Sequence, residues 1–566
     1  MNLRRSLPLL TRANLTRAAL ALASVALAAC LAPSLLSAQQ PTRSDAEKDP
    51  ILKAMLTELD RTTSQLVLPG FQKPFFVQYR VEDLEDFATR AGFGASLGSN
   101  HNTIRIVRVT VLVGDYKTDS SSPRGDGAVQ LTALDNDPIA LRSSLWAATD
   151  AAYKAALAAY AQKQAELKQI QTPPQSDDLS HEKPVISLAA PLTLHLDEPA
   201  WTERIAALSG LYRTEPSLGA LAPDIQQSAA SFEARITNTR MVNSEGAILR
   251  KSEPSYTESF GVGLQAADGM HLDRSQSSVG LALADIDTPD VFRQHAVKLI
   301  ASLGDLRAAP IVDEEYHGPV LLSADASADI LRQLLGSSVL ATRPRLGTDA
   351  RTNGPFASSY HTRVLPDFLN VVDNPSLKVW DGKNLTGAYD IDDEGVPAQA
   401  VPLVTAGKLE NYLIGREPIR DFPQSNGHAR ASIGGPAHPA LGVLKITAEN
   451  GLSRDDLQNK LLALAKDRGL ASAYYVDTLG GPLAPRLLYR ITPDGKRELV
   501  RGAHLADLDQ RALRTGIEAA GKDLWVANSA GEIPETVLAP ALLLDDVTIR
   551  RANEKNERLP FYPPPQ

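Results

Sequence analysis

One run of ionisable side chains, Asp390-Ile391-Asp392-Asp393-Glu394-Gly395, places four carboxylates in five positions ahead of a glycine. Such a run could coordinate a hard cation or exchange protons. It lacks the 12-residue spacing of an EF-hand loop, however, and a solvated acidic turn is the plainer expectation. Histidines offer a second chemistry. His317, His361, His428 and His438 stand in or beside loops of the C-terminal half, and Asp325 and Asp329 lie one i,i+4 step apart on an expected helix. Drawn together, these groups could hold a metal; taken singly, loop histidines are solvated or hydrogen-bonded, and paired helix carboxylates form an exposed face. Neither a phosphate-binding nor a dinucleotide glycine fingerprint is present.

Around the acidic run the chain reads Gly387-Ala388-Tyr389 before it and Val396-Pro397 after it. An alternating segment then turns at Gly407, and Ser425-Asn426-Gly427-His428-Ala429-Arg430 follows. Two alternating segments about a tight glycine turn form a β-hairpin. In this order, with Ala539-Pro540-Ala541-Leu542-Leu543 near the end, the parts resemble the C-terminal signature of the TldD/PmbA (TldE) family. The resemblance spans roughly residues 50 to 548 and is strongest from about 310 onward.

It implies paired proteins of the envelope or cytosol associated with zinc-dependent peptide cleavage, one partner carrying the metal and the other not. In the zinc-bearing members Gly-x-Leu-Leu is followed by a His-Glu-x-x-x-His helix, and a late cysteine adds a ligand. Imidazoles about one turn apart can grip zinc while the glutamate polarises a bound water. Here Ser323 and Ala328 stand at the two histidine positions and Ala324 at the glutamate, while Asn528-Ser529-Ala530-Gly531-Glu532 occupies the cysteine's neighbourhood. None of these side chains performs the missing role. The resemblance therefore implies a TldE-like, non-catalytic subunit with no cofactor of its own. Zinc is expected only in a TldD-like partner, and peptide is the expected substrate; a homodimer is the other assembly it allows. Two alternatives stay open: an active metallopeptidase with a metal site rebuilt from His317, His361, His428 or His438, and a stand-alone envelope peptide-binding module.

Composition limits the remaining classes. A length of 566 residues exceeds one core, 43% apolar with 22% charged residues describes a globular chain, and a formal charge of -9 without a basic stripe argues against nucleic acid. Arg4, Arg5, Arg12 and Arg17 precede an apolar run from Ala18 to Ala29, the pattern of an export signal. Either residues 1–29 are removed and Cys30, the single cysteine, is lipidated, or residues 1–38 are removed and the product is soluble. Both place the mature protein in the periplasm or cell envelope, touching a membrane only through a lipid anchor.

The elements that must position these residues mix helix and strand without βαβ alternation, so the fold class is α+β. Asp49-Pro50, Asp137-Pro138 and Thr288-Pro289 open helices, and Ser453-x-x-Asp456 caps another that ends at Gly469. Segments starting near Phe75 and Val107 alternate as strands, and Asn243-Ser244-Glu245-Gly246 and Asp268-Gly269 turn hairpins. We expect an α+β domain over 45–300 with an exposed, proline-rich connector at 171–200. A β-rich domain over 301–550 follows, its barrel-like or sandwich-like sheet built around helix 324–336, and 551–566 forms a tail.

Overall fold

The structure, a computed structural model, describes residues 41–121, 127–481 and 484–552. The expected export signal, Cys30 and residues 553–566 of the expected tail lie outside the described residues.

Helix α1 (Pro50–Gln65) begins where its cap dictates. Asp49 Oδ1 accepts hydrogen bonds from the Ile51 and Leu52 N–H groups at 2.9 and 3.2 Å, proline fills the first turn, and Leu52, Met55, Leu56 and Leu59 are buried. Strands β1 (Pro74–Gly92), β2 (Ala95–Val113) and β3 (Ala128–Thr132) precede α2 (Pro138–Leu167). Next come β4 (Ile186–Leu188), α3 (Glu198–Ser209), β5 (Ile225–Asn243), β6 (Ile248–Gln265), β7 (His271–Gly280) and α4 (Pro289–Ala308). The strands form one sheet ordered β3-β2-β1-β5-β6-β4, with β7 also on β6.

Alternation gives this sheet two unlike faces. Tyr79, Val81, Val107, Val109, Phe232, Ile236 and Phe260 point toward the helices and are buried with them. Arg80, Glu82, Thr239, Lys251 and Glu253 share the opposite face, and the register sets Glu82 against Thr239 and Thr239 against Lys251.

The C-terminal half contributes β8 (Tyr316–Leu322), α5 (Ala324–Leu334), β9 (Leu369–Asp373), the pair β10 (Val379–Trp380) and β11 (Lys383–Asn384), and β12 (Val401–Thr405) with β13 (Lys408–Leu409) about Gly407. The pair β14 (Ala429–Ala431) and β15 (Ala437–Pro439) is followed by β16 (Val443–Ala448), α6 (Arg454–Asp467) and β17 (Ala473–Leu479). Strands β18 (Pro485–Ile491), β19 (Arg497–Val500), β20 (Ala503–Ala506), β21 (Ile517–Ser529) and β22 (Glu535–Arg551) complete it. The large sheet runs β13-β12-β9-β16-β22-β8-β17-β18-β19, with β20 and β21 also on β22. It does not close, so the barrel-like expectation gives way to a layered, sandwich-like arrangement. Val320, Leu322, Leu542 and Leu544 pack on one face with α5, while Leu321 and Leu543 pack on the other with Leu457 and Leu461 of α6. Strands buried on both faces need near-continuous apolar runs, which is what Val320-Leu321-Leu322 and Leu542-Leu543-Leu544 supply.

The connector is less exposed than its prolines suggest. Its middle, Asp178 to Ser180, is buried because Lys163 Nζ and Arg343 Nη1 reach Asp178 at 2.5 and 3.0 Å and the Ser180 N–H donates to the Arg416 carbonyl at 2.9 Å. Among the described residues no helix is long and apolar enough to cross a membrane.

Asp49 does more than cap. Its Oδ2 meets Arg240 Nε at 2.9 Å and Arg250 Nη1 at 3.0 Å, tying α1 to β5 and β6. Burial pushes the carboxyl up, but the two guanidiniums and the cap outweigh it and hold its pKa below the ordinary value. This contribution is complete above about pH 4 and is lost as pH falls through the native value. Asp49→Ala is expected to lower unfolding stability by about 3 kcal/mol at pH 7 and Asp49→Asn by less, as read from denaturant melts.

Candidate functional site

The acidic run is not a solvated turn. Only Asp390 is exposed, where Lys378 Nζ meets it at 2.9 Å; Asp392 and Asp393 are buried. Local geometry explains Asp392. Its Oδ1 accepts the N–H groups of Glu394 and Val396 at 3.0 and 2.8 Å, and its Oδ2 accepts that of Ala429 at 3.1 Å, so one side chain closes the turn and ties it to the tail. Gly395 has φ 84°, and a Cβ there would stand 2.7 Å from the Met241 side chain, so turn conformation and close approach both demand glycine.

Asp393 is matched by charge from both halves. Lys251 Nζ on β6 lies 2.5 Å from Oδ1, Arg430 Nε on β14 lies 3.2 Å from Oδ2, and the Ala431 N–H donates to Oδ2 at 2.8 Å. Arg430 Nη2 and Lys251 Nζ also reach Glu253, at 2.6 and 3.0 Å, and the Arg430 guanidinium lies 4.3 Å above the Tyr389 ring. Next to them Arg80 Nε pairs with Glu82 at 3.3 Å, and Glu82 accepts the Gly434 N–H at 2.7 Å. Glu394 Oε2 accepts the Arg416 N–H at 2.6 Å, and the buried Arg416 guanidinium grips both oxygens of Glu245 at 2.6 and 2.9 Å. Burial raises the Asp393 carboxyl, but Lys251, Arg430 and Arg80 more than reverse it and hold the group far below the carboxylate range. Burial and the Asp393 charge push Asp392 up to about 7 against its three N–H donors. Burial and the Asp392 charge push Glu394 up to about 8.

This network floors a cleft of about 60 Å³ lined by Glu82, Arg235, Thr237 and Thr239 of the sheet, by Asp393 and Arg430, and by the loop Ala530-Gly531-Glu532. A wider depression of about 340 Å³ between 175–177 and 418–423 shares no residue with it.

The helix positions singled out in sequence carry structural duties. Ser323 is the N-cap of α5, its Oγ accepting the Ala326 N–H at 3.0 Å and donating to the Asp477 carbonyl at 2.7 Å. Ala324 starts the helix, and Ala328 is buried in the core with Ile330 and Leu331. The four histidines are spent separately. His317 Nε2 meets Glu315 at 2.8 Å, His361 Nδ1 meets Glu410 at 2.7 Å, and His438 reaches only the Pro436 carbonyl at 3.4 Å. His428 is fully buried with its Nε2 3.2 Å from the equally buried Asp373. Asp325 and Asp329 are half-buried rather than an open face; burial, with the Asp329 and Asp477 charges, pushes Asp325 up to about 6.

Residues 315–551 match the PmbA/TldA metallopeptidase C-terminal domain. The C-terminal region of the chain is that of the TldD/PmbA family. No curated protein sequence matches it significantly. Among solved structures it is similar to TldE from Thermococcus kodakarensis, at 12% identity and a TM-score of 0.58 over 88% of this chain and 99% of that one. It is also similar to two proteins described as candidate modulators of DNA gyrase. The one from Thermotoga maritima has 13% identity and a TM-score of 0.55, over 84% of this chain and 96% of that one. The other, from Bacteroides thetaiotaomicron, has 12% identity and a TM-score of 0.55, over 90% and 99%. At such identities the likeness is one of fold.

The family's zinc does not fit the residues present. An N-cap serine and two alanines offer no ligand set, and among the described residues no three His, Cys, Asp or Glu side chains converge to hold a metal. Sequence reasoning missed Lys251, Glu253, Arg80, Glu82, Glu245 and Arg416, which lie far from the signature in the chain; the charged positions alternating with Tyr79 and Val81 were the available signal. It also passed over Gly94-Ala95-Ser96-Leu97-Gly98, a Gly-x-Ser-x-Gly match. That match lies at the exposed β1–β2 turn and not at a strand-to-helix elbow.

A carboxyl whose native pKa is raised stabilises the fold fully below its unfolded value and loses that contribution as pH rises through the native value. For Glu394 the window runs from about pH 4 to about pH 8. Glu394→Gln, which keeps an acceptor for Arg416, should reduce the stability lost between pH 6 and pH 9 by on the order of 2 kcal/mol in paired denaturant melts.

Proposed function

We propose that this protein is a non-catalytic, TldE-like subunit that supports a zinc-bearing partner of the same family in cleaving peptides. One observation carries the reading: the signature is kept and built into a matched, buried charge network, while the positions that would hold zinc are occupied by a helix cap and a core alanine. A scaffold preserved in this way needs a partner to supply the chemistry. The basic and apolar leader supports export, with Cys30 as the anchor if it is lipidated. A metal site rebuilt from His317, His361, His428 and His438 has no geometric support, since each has a separate partner.

Alone, the purified chain is expected to bind well under one equivalent of zinc by elemental analysis and to leave unstructured peptides intact. Coexpressed with a relative that carries His-Glu-x-x-x-His, it should copurify in fixed stoichiometry, with about one zinc per pair and peptide cleavage. Stoichiometric zinc or cleavage by this chain alone overturns the proposal. Ala328→His should lower stability by about 1–3 kcal/mol, because an imidazole overfills the core beside Leu331, and should add no tight zinc.

A further inference from the structure

The charges around the small cleft balance in number but not in pairing. Arg235 and Arg430 line it with Glu82, Glu253, Asp393 and Glu532, and Arg80 and Lys251 stand next to it, paired with three of those carboxylates. Arg80 is matched by Glu82 at 3.3 Å; Lys251 and Arg430 share Asp393 and Glu253 at 2.5 to 3.2 Å. Arg235 is left over. Its Nε is buried without a hydrogen-bond partner, and its guanidinium forms no ion pair among the described residues. Asp86, which faces it in the β1–β5 register, instead accepts from Asn102 at 3.5 Å. Glu532 is the other unmatched charge of the lining, and it sits exposed at the rim.

A partly buried guanidinium without a counter-charge is costly, and its five donors in a planar fork suit a carboxylate. The hydroxyl residues Thr237, Thr239 and Ser255 line the same cleft and can add donors. A volume of about 60 Å³ admits a few waters or one carboxylate group, not a folded partner. The loop that walls the cleft, Ala530 to Pro534, leads directly into Glu535, which pairs with Arg332 of α5 at 3.0 Å. The cleft thus lies one loop away from α5.

We propose that Arg235, with Thr237 and Thr239, forms a carboxylate-binding subsite that holds an acidic group of a peptide, either its C-terminus or an Asp or Glu side chain. This rests on the peptide-handling reading above, and it names a feature by which peptides would be selected.

The full-length mature protein is titrated calorimetrically with three probes: N-acetyl-trialanine as the free acid, the same peptide as its amide, and N-acetyl-Ala-Ala-Glu amide. The subsite predicts that one or both acidic probes bind at least about 10-fold tighter than the neutral amide. Preference for the free acid assigns the C-terminus, preference for the glutamate probe assigns a side chain, and equal gain assigns any carboxylate. The gain should vanish in Arg235→Gln, persist in part in Arg235→Lys, and increase in Glu532→Gln, which removes the competing anion at the rim. Because Arg235 has no native partner, Arg235→Gln should melt at or above the wild-type temperature, so lost binding is not lost folding. Equal binding of all three probes, no binding of any, or a gain surviving Arg235→Gln overturns the proposal. Copurification with a zinc-bearing relative is read separately, and its failure would instead remove the subunit reading.

Discussion

Asp393 is a full negative charge with almost no access to water, and the arrangement of the two halves follows from how that charge is met. One cation, Lys251, comes from near the start of a long strand in the N-terminal sheet; the other, Arg430, comes from the tail of the signature. An isolated buried carboxylate would cost several kcal/mol and would protonate instead; with two cations and a backbone N–H in range the ionised form is held. The pairs themselves are weak evidence of net stability, since matched apolar groups could pack as well. What they enforce is register. A slip of one residue along β6 would turn Lys251 and Glu253 to the helix-covered face and leave Asp393 unmatched.

The same alternation explains why a polar sheet face can sit under the C-terminal half at all. Burying Arg80 and Glu82 and half-burying Lys251 and Glu253 is tolerable only where each finds a counter-charge, and the signature brings Arg430, the Gly434 N–H and the Asp393 carboxylate to that place. Farther along β5 the cover ends, the cleft opens, and Arg235 is the position at which matching stops.

Local signals were legible in the sequence. The Asp-Pro starts at Asp49 and Asp137 became capped helices, Ser453 received its reciprocal bond with Asp456, and Gly407 turned its hairpin, because each depends on residues two to four apart. Thr288 opened its helix without a side-chain cap bond, so Pro289 and the apolar spacing carried that signal. The acidic run misled for the opposite reason: whether Asp392 and Asp393 meet water depends on Ala429, Arg430 and Lys251, which are tens to more than a hundred positions away. The connector misled likewise. Its prolines are exposed, but Asp178 is fixed by Lys163 and Arg343, groups outside the segment.

Helix α5 is held by a cap and by packing, with no metal-ligating side chain at Ser323, Ala324 or Ala328. A metal contributes folding energy where it is bound, so a helix stripped of its ligands must be held by other means. Ser323 supplies a cap, which is worth about 1 kcal/mol at such positions, and alanine is the best helix former at Ala324, Ala326 and Ala328. Ile330 and Leu331 then fix the helix on the face of β8, β17 and β22 that carries Val320, Val476 and Leu542. Ser323, Ala324 and Ala328 each favour helix or packing over coordination. The imidazoles that remain are bound elsewhere, the buried His428–Asp373 pair most firmly, so restoring a metal would require dismantling contacts that now hold the loops. That asymmetry is the physical support for the proposed reading of this chain as a non-catalytic subunit.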